Sequence, residues 1–311
     1  MDTTMNTSLT PWQPPARDDV LVAFLGARKQ TTITAYRQDV TDFAAFLRMD
    51  EKDAVERFLA SGAGNANLIA LNYRANMQER GLQATTVNRR LATLRSLTKF
   101  ARMAGWITWG LEVQSLRTRA FKDTSGPGQY HYRKMLAEVD GKATVKSVRD
   151  KAILCLLHDI GLRRGELCAL DVADVDIEKG TVNVLGKGCD EKQRLTLPGP
   201  TLDALKAWLD VQRREEGPLF TNCDHAKQGS GRLSSTAVYK LVRDLGRKVG
   251  VETRPHGIRH LAVTEAVKAA QRAGMGIEEV LDFSRHADLK TLMIYVDRER
   301  DTQGKIASMI A

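Results

Sequence analysis

The sequence predicts a mainly helical protein of two domains, with one small β-hairpin set into the second. Apolar residues recur at helical spacing through most of the chain. Two short runs rich in strand-forming residues, parted by a glycine-bounded turn, interrupt that rhythm between residues 180 and 198. Residues 115–129 are basic and rich in turn-forming residues, with little to bury. At 311 residues the chain is too long for one small core and suits two.

Residues 1–17 are polar and carry Pro11, Pro14 and Pro15, so they read as a disordered tail without the apolar segment of a signal peptide. Residues 18–114 read as a helical domain. Thr31 or Thr32 can cap a helix that places Ile33, Tyr36, Val40, Phe43 and Leu47 on one face. A second helix, starting near Thr85 or Thr86, carries Val87, Leu91, Leu94 and Leu97 inward. On its other side Arg95, Lys99 and Arg102 fall at spacings of four and three and share a face. That stripe is either a solvated surface or a set of contacts to nucleic-acid phosphates.

The stretch 115–129 holds Arg117, Arg119 and Lys122 ahead of Gly126, Pro127 and Gly128. It reads as a basic linker, flexible enough to let two domains close around a rod. Residues 130–311 form the second domain. Helical patterns run over 132–138, 147–160, the stretch after Gly161, 201–213, 235–249, 255–270, 277–283 and 289–296. Strands are expected at 181–185 and 194–197. In the 235–249 helix, Val238, Leu241, Val242, Leu245 and Val249 face inward while Lys240, Arg243 and Arg247 line up opposite. Again the choice is an ordinary surface or one laid against DNA.

Composition narrows the function. A net charge of +9 favours a polyanionic partner, nucleic acid being the common one. Cys155, Cys168, Cys189 and Cys223 show neither a Cys-x-x-Cys pair nor metal-ligand spacing, which points to reduced thiols and a cytoplasmic protein. No apolar run reaches the roughly 18 residues a membrane helix needs. There is no Gly-x-x-x-x-Gly-Lys-Ser/Thr motif, and Asp171, Asp174 and Asp176 bracket a strand entry, so neither nucleotide nor metal cofactor is expected.

Six residues in the second domain form an ordered set: Arg163, Lys187, His256, Arg259, His286 and Tyr295. Taken singly, each has an ordinary explanation as an ion pair, a turn residue, a packed histidine or an apolar helix face. Together they supply what cutting and rejoining DNA through a protein-bound phosphate requires: a nucleophile, a proton for the leaving 5′ oxygen, and stabilisation of a crowded anionic transition state. Arg163 and Arg259 suit the last task, because a guanidinium donates bidentate bonds to phosphate oxygens and keeps its charge. Glu166, three residues on, is the natural ion-pair partner of Arg163. Lys187 lies between Gly186 and Gly188 in the hairpin turn, placed to protonate the leaving oxygen. His256 and Arg259 share a face of a helix that Pro255 can start, His256 accepting the tyrosine proton or bonding a phosphate oxygen. His260 points elsewhere and reads as structural. His286 adds a further phosphate bond, and Tyr295 is the nucleophile.

These residues bring the chain to a known family. Gly161-Leu162-Arg163 with Glu166-Leu167, the hairpin Leu185-Gly186-Lys187-Gly188, the box Pro255-His256-Gly257-Ile258-Arg259-His260, and His286 with Tyr295 resemble, in order, the catalytic signature of the tyrosine recombinases, or phage integrase family, including Xer-like and mobile-element-borne members. Two departures stand out: Ser284-Arg285 precedes the second histidine where the family usually has Leu-Gly, and Thr291-Leu292 replaces a Thr-Thr pair.

The resemblance implies a helical core-binding (SAM-like) domain and an α+β catalytic domain forming a C-shaped clamp on double-stranded DNA at a specific recombination site. It implies a 3′-phosphotyrosine, a Holliday junction and a homotetramer on synapsed DNA, or an assembly with a partner recombinase, and neither metal nor ATP. Residues 299–311 would pack on a neighbouring subunit. Two alternatives are a type IB topoisomerase-like enzyme and a catalytically decayed architectural DNA-binding protein.

Overall fold

A computed structural model describes residues 20–26, 28, 30–117, 126–186, 189–223, 231–286, 289, 292–293 and 302–310. The expected tail, Arg119, Lys122, Lys187 and Tyr295 lie outside these residues, as does most of the expected 289–296 helix. The chain divides into two compact units, Met1–Phe121 and Lys122–Ala311. Among the described residues the architecture is helical with one three-stranded sheet, so the expected fold class is correct.

The first unit contains α1 (Val20–Gly26), α2 (Gln30–Leu47), α3 (Glu51–Ala60), α4 (Gly62–Glu79) and α5 (Ala84–Met103). Its core gathers Phe24, Phe43, Phe58, Tyr73, Met77, Leu91, Leu94 and Leu97. Val87, Leu91, Leu94 and Leu97 are buried on α5 as the spacing predicts. The threonine cap expected at Thr31 or Thr32 is not found, because both lie inside α2. Helix α5 starts at Ala84, beside the expected start near Thr85 or Thr86. A polar network crosses the helices: Asp42 accepts hydrogen bonds from Tyr73 (2.7 Å), Arg80 (2.8 Å) and Arg90 (2.6 Å), while Asp39 accepts from Arg89 and Thr93.

Residues 106–116 return along this unit as a strap. Trp109 stands edge-on to Phe58 and Val113 is buried. Leu116 exchanges two hydrogen bonds with Asn88 (2.7 and 2.9 Å), so the first residues of the expected linker remain tied to α5.

The second unit is built around α7 (Val145–Asp159), whose run Ala152–Leu157 is buried on every side. An all-round apolar helix belongs in the middle of a core, and α7 packs against α6 (Gly128–Asp140), α8 (Arg164–Ala169), α9 (Gly199–Gln212) and α11 (Pro255–Ala273). Thr144 and Ser147 fix its start in a reciprocal capping box. Gly126, just before α6, sits at φ +76° with its backbone pressed on Gly257 of α11; a Cβ there would collide with the Gly257 carbonyl.

The hairpin is part of a three-stranded antiparallel sheet: β1 (Val175–Asp176), β2 (Thr181–Leu185) and β3 (Lys192–Thr196). Val182 pairs with Val175 and Leu195, and Val182 and Val184 point into the core. The β2–β3 turn closes with Cys189 N–H donating to Gly186 O (3.2 Å). The three aspartates at the strand entry are paired, Asp171 with Arg232, Asp174 with Lys192 and Asp176 with Lys179, in keeping with the structural role expected of them. The unit is completed by α10 (Ser235–Lys248), α12 (Ile277–Ser284) and a last helix, Thr302–Ile310.

Candidate active site

Four of the six candidate residues fall within the described structure, and they come together. Helix α7 ends at Ile160, and Gly161 turns the chain at φ +57°. Arg163 follows in extended conformation as the N-cap of α8. Glu166, buried in the first turn of α8, reaches back: its Oε2 accepts the Arg163 backbone N–H (2.9 Å) and its Oε1 accepts Arg163 Nη1 (2.6 Å). The i,i+3 pair expected from the sequence therefore forms.

Arg259 lies on α11, at a turn whose entry is set by Pro255 in the first helical turn. Its side chain is 2% exposed. It donates to the carbonyls of Gly161 and Ser284, at the carboxyl ends of α7 and α12. Unsatisfied carbonyls at a helix C-terminus carry partial negative charge and attract cations. The fold thus holds this guanidinium in place by backbone oxygens. His260, next along α11, is 3% exposed and packed in the interior.

Electrostatics place the two histidines in the same cluster. His256 keeps an exposed edge; loss of surrounding water, then the charges of Arg259, Arg254 and Arg163, lower its pKa. His286 is pushed down to about 4, by burial first and then by Arg259, Arg163, His256 and Arg285. At neutral pH both imidazoles are neutral. The guanidiniums of Arg163, Arg254, Arg259 and Arg285 and two imidazoles gathered around the single carboxylate of Glu166 leave a net positive field, suited to an anion with several oxygens.

Sequence reasoning missed two members. Arg254 precedes the helix and adds to the charge at His256. Arg285 ends α12 at φ 52° and donates to Ile160 O (3.0 Å), Gly161 O (3.0 Å) and Glu166 Oε2 (3.2 Å). The available signal was its position, an arginine where the resemblance calls for glycine.

The candidate DNA-contacting cations are spread over both units. Lys99, Arg102 and Arg117 are exposed, whereas Arg95 is turned back onto the strap, bonding Val113 O (2.5 Å) and Ser115 Oγ (3.2 Å). On α10, Lys240 and Arg247 are exposed and Arg243 stacks over Tyr239 (5.7 Å), while Val238, Val242 and Leu245 are buried as expected. Among the described residues, no three His, Cys, Asp or Glu side chains group to hold a metal ion, and no helix is long and apolar enough to cross a membrane.

Fold and cluster together define a class: a two-unit, mainly helical protein whose second unit carries a preformed cationic site for an anion. Residues 129–301 match the phage integrase family, and residues 21–105 match the phage integrase N-terminal SAM-like domain. The chain belongs to the phage integrase family, the tyrosine recombinases. It is 37% identical over 309 residues to a tyrosine recombinase of Synechococcus elongatus, covering 96% of this chain and 94% of that one. It is 32% identical over 291 residues to a tyrosine recombinase of Synechocystis sp., covering 91% of each. In fold it is similar to a XerH site-specific recombinase bound to palindromic difH substrate in a post-cleavage complex, with TM-score 0.67, 17% identity, and coverage of 94% of this chain and 84% of that chain.

Proposed function

We propose that this protein is a site-specific DNA recombinase that cuts and rejoins strands through a 3′-phosphotyrosine. The observation that carries the reading is the convergence of Arg163, Arg259, His256 and His286 from three separate segments onto one cationic pocket. In the proposed reaction the Tyr295 oxygen attacks the scissile phosphorus and loses its proton to His256. The P–O5′ bond breaks, and the 5′ oxygen takes a proton from Lys187. Arg163, Arg259 and His286 hold the non-bridging oxygens as negative charge grows on them. A 5′-hydroxyl from a partner strand then attacks the phosphotyrosine, releasing the phenol and resealing the backbone. The phosphodiester energy stays in the tyrosyl ester, so no nucleotide hydrolysis is needed.

The proposed partner is double-stranded DNA carrying a specific site. Residues 18–114 would serve as the core-binding domain, 115–129 as the linker and 130–311 as the catalytic domain. Lys99, Arg102, Arg117, Arg119, Lys122, Lys240, Arg243 and Arg247 would meet phosphates, and Arg95 would contribute if released from its strap. We further propose a homotetramer on synapsed sites, working in the cytoplasm. A groove of about 1260 Å³ on the catalytic unit is lined by Ala262, Ala266, Ala269, Ala273 and Phe283, while the last helix exposes Ile306, Met309 and Ile310. Seating that helix in a neighbour's groove would bury both surfaces. Deleting residues 302–311 is expected to weaken two-site synapsis in gel-shift assays while sparing single-site binding.

Covalent trapping in EDTA tests the chemistry. The protein and its Tyr295→Phe variant are incubated with host DNA, denatured, and assayed for protein-linked ends. Adducts with the unmodified chain alone are expected, and sequencing them yields the target site. Adducts that survive Tyr295→Phe would sink the nucleophile assignment.

A further inference from the structure

Arg285 holds a backbone conformation that an arginine adopts at a cost. At φ 52° and ψ 39° it lies in the left-handed region, where glycine avoids the Cβ clash that every other L-residue meets. The turn itself does not need the side chain, because Arg285 N–H closes α12 on Leu281 O (2.8 Å) whatever the residue. The arginine is nonetheless buried, with its side chain 8% exposed, and both of its terminal nitrogens are engaged elsewhere. One arm donates to Ile160 O (3.0 Å), the other to Gly161 O (3.0 Å) and Glu166 Oε2 (3.2 Å). Its own carbonyl accepts Arg163 Nη2 (2.7 Å). Strain kept at a site where the side chain makes specific long-range bonds points to a role for that side chain.

We propose that Arg285 is a positioning residue for strand cleavage. It pins the turn that carries His286 to the Arg163–Glu166 pair and to the carboxyl end of α7, so that Arg163, Arg259 and His286 face one phosphate. This rests on the recombinase reading above and concerns a position where this chain departs from the family pattern.

Two effects give the residue its leverage. The first is geometric. Arg259 and Arg285 both donate to Gly161 O, and Arg259 also donates to Ser284 O, so the Gly161 peptide is a shared anchor for α11 and the end of α12. Arg163 is tied to the same turn through the Arg285 carbonyl. Without the Arg285 guanidinium, that bond and the Arg259 bridge from Gly161 O to Ser284 O would remain, but neither reaches Glu166 or Ile160. The second effect is electrostatic. Arg163 and Glu166 alone are a neutral pair; with Arg285 the trio carries one net positive charge, and Glu166 divides its attraction between two cations. Arg163 then keeps more of its charge for an incoming phosphate.

The test uses the full chain and a nicked suicide duplex built from the DNA ends recovered by trapping. Single-turnover cleavage and DNA Kd are measured for the unmodified protein, Arg285→Gly and Arg285→Lys, with thermal melting alongside. Arg285→Gly removes the guanidinium and relieves the backbone, so its melting temperature should stay close to that of the unmodified chain. Its cleavage is expected to be about 100-fold slower, the loss typical of a misplaced reacting group, with Kd unchanged. Arg285→Lys keeps the charge but lacks the planar fork that spans three acceptors, and should recover about tenfold of that loss. Cleavage by Arg285→Gly at the unmodified rate would overturn the proposal, as would a rate loss matched by an equal loss of DNA affinity. Should the glycine variant fail to fold, the lysine variant decides: the unmodified rate there would also overturn it. Failure of the unmodified chain to cleave would sink the recombinase reading itself, and this proposal with it.

Discussion

Exchanging Arg259 for glutamine is expected to slow strand cleavage by about 10³-fold, the upper range for removing one preorganised donor from a developing oxyanion. The reason lies in how the side chain is held. Two of its donors are fixed by the Gly161 and Ser284 carbonyls, which aim the guanidinium before any DNA arrives. Glutamine can reach one of the two carbonyls and brings no charge. Arg259→Lys restores the charge as a point rather than a fork, and about 10²-fold slowing is expected. The glutamine variant should also lose about 1–2 kcal/mol of stability where it leaves the Ser284 carbonyl without its donor, since Gly161 O keeps Arg285. Single-turnover cleavage on a suicide duplex measures the first effect. A plot of log Kd against log salt supplies an independent check, because removing one phosphate-contacting cation should lower the slope by about one. An unchanged slope would take Arg259 off the phosphate.

Much of the fold was legible because its signals are local. The β2 strand falls at 181–185 as the alternation predicts, and α7, α10, α11 and α12 start or end within a few residues of the expected bounds. Helices α1, α3 and α4 were not resolved from the sequence. In α4 the buried positions are Ala66, Ala70, Tyr73 and Met77, at helical spacing but with two alanines that give little contrast against their neighbours. Strand β1 is two residues long, too short to show alternation. The reacting residues were legible as motifs, since Arg163, His256, Arg259 and His286 each sit in a short box. What joins them was not. Arg285 meets Glu166 across 119 residues and Arg259 meets Gly161 across 98, and no periodicity reports a pairing at such separations. The glycine-like position of Arg285 was visible in the sequence, but only the structure says where its side chain goes.

The largest stability effect is expected at Glu166, where the same contacts that order the site also carry the fold. Its side chain is 3% exposed and binds Arg163 N–H, Arg163 Nη1 and Arg285 Nη2. Glu166→Ala would leave two guanidiniums close together without their carboxylate, one of them buried. Breaking a buried pair in this way costs about 3–5 kcal/mol, a large part of what a domain has. Glu166→Gln should cost nearly as much, because its amide turns a donor toward cations that are donors themselves. Urea denaturation followed by hydrogen exchange at the α7 amides reads the catalytic unit without interference from the first. The pH dependence follows from the carboxyl. Burial pushes its pKa up, but the backbone N–H and guanidinium of Arg163, with the charges of Arg285 and Arg163, bring it below the ordinary 4.5. A carboxyl depressed in the folded state contributes its full stability above the unfolded value and loses it as pH falls through the folded one. The gap between the unmodified chain and Glu166→Ala should therefore be widest above about pH 4.5 and close below it. A gap independent of pH would mean that Glu166 acts by packing alone, and that the arginines of this site are held together by backbone carbonyls without their shared counter-ion.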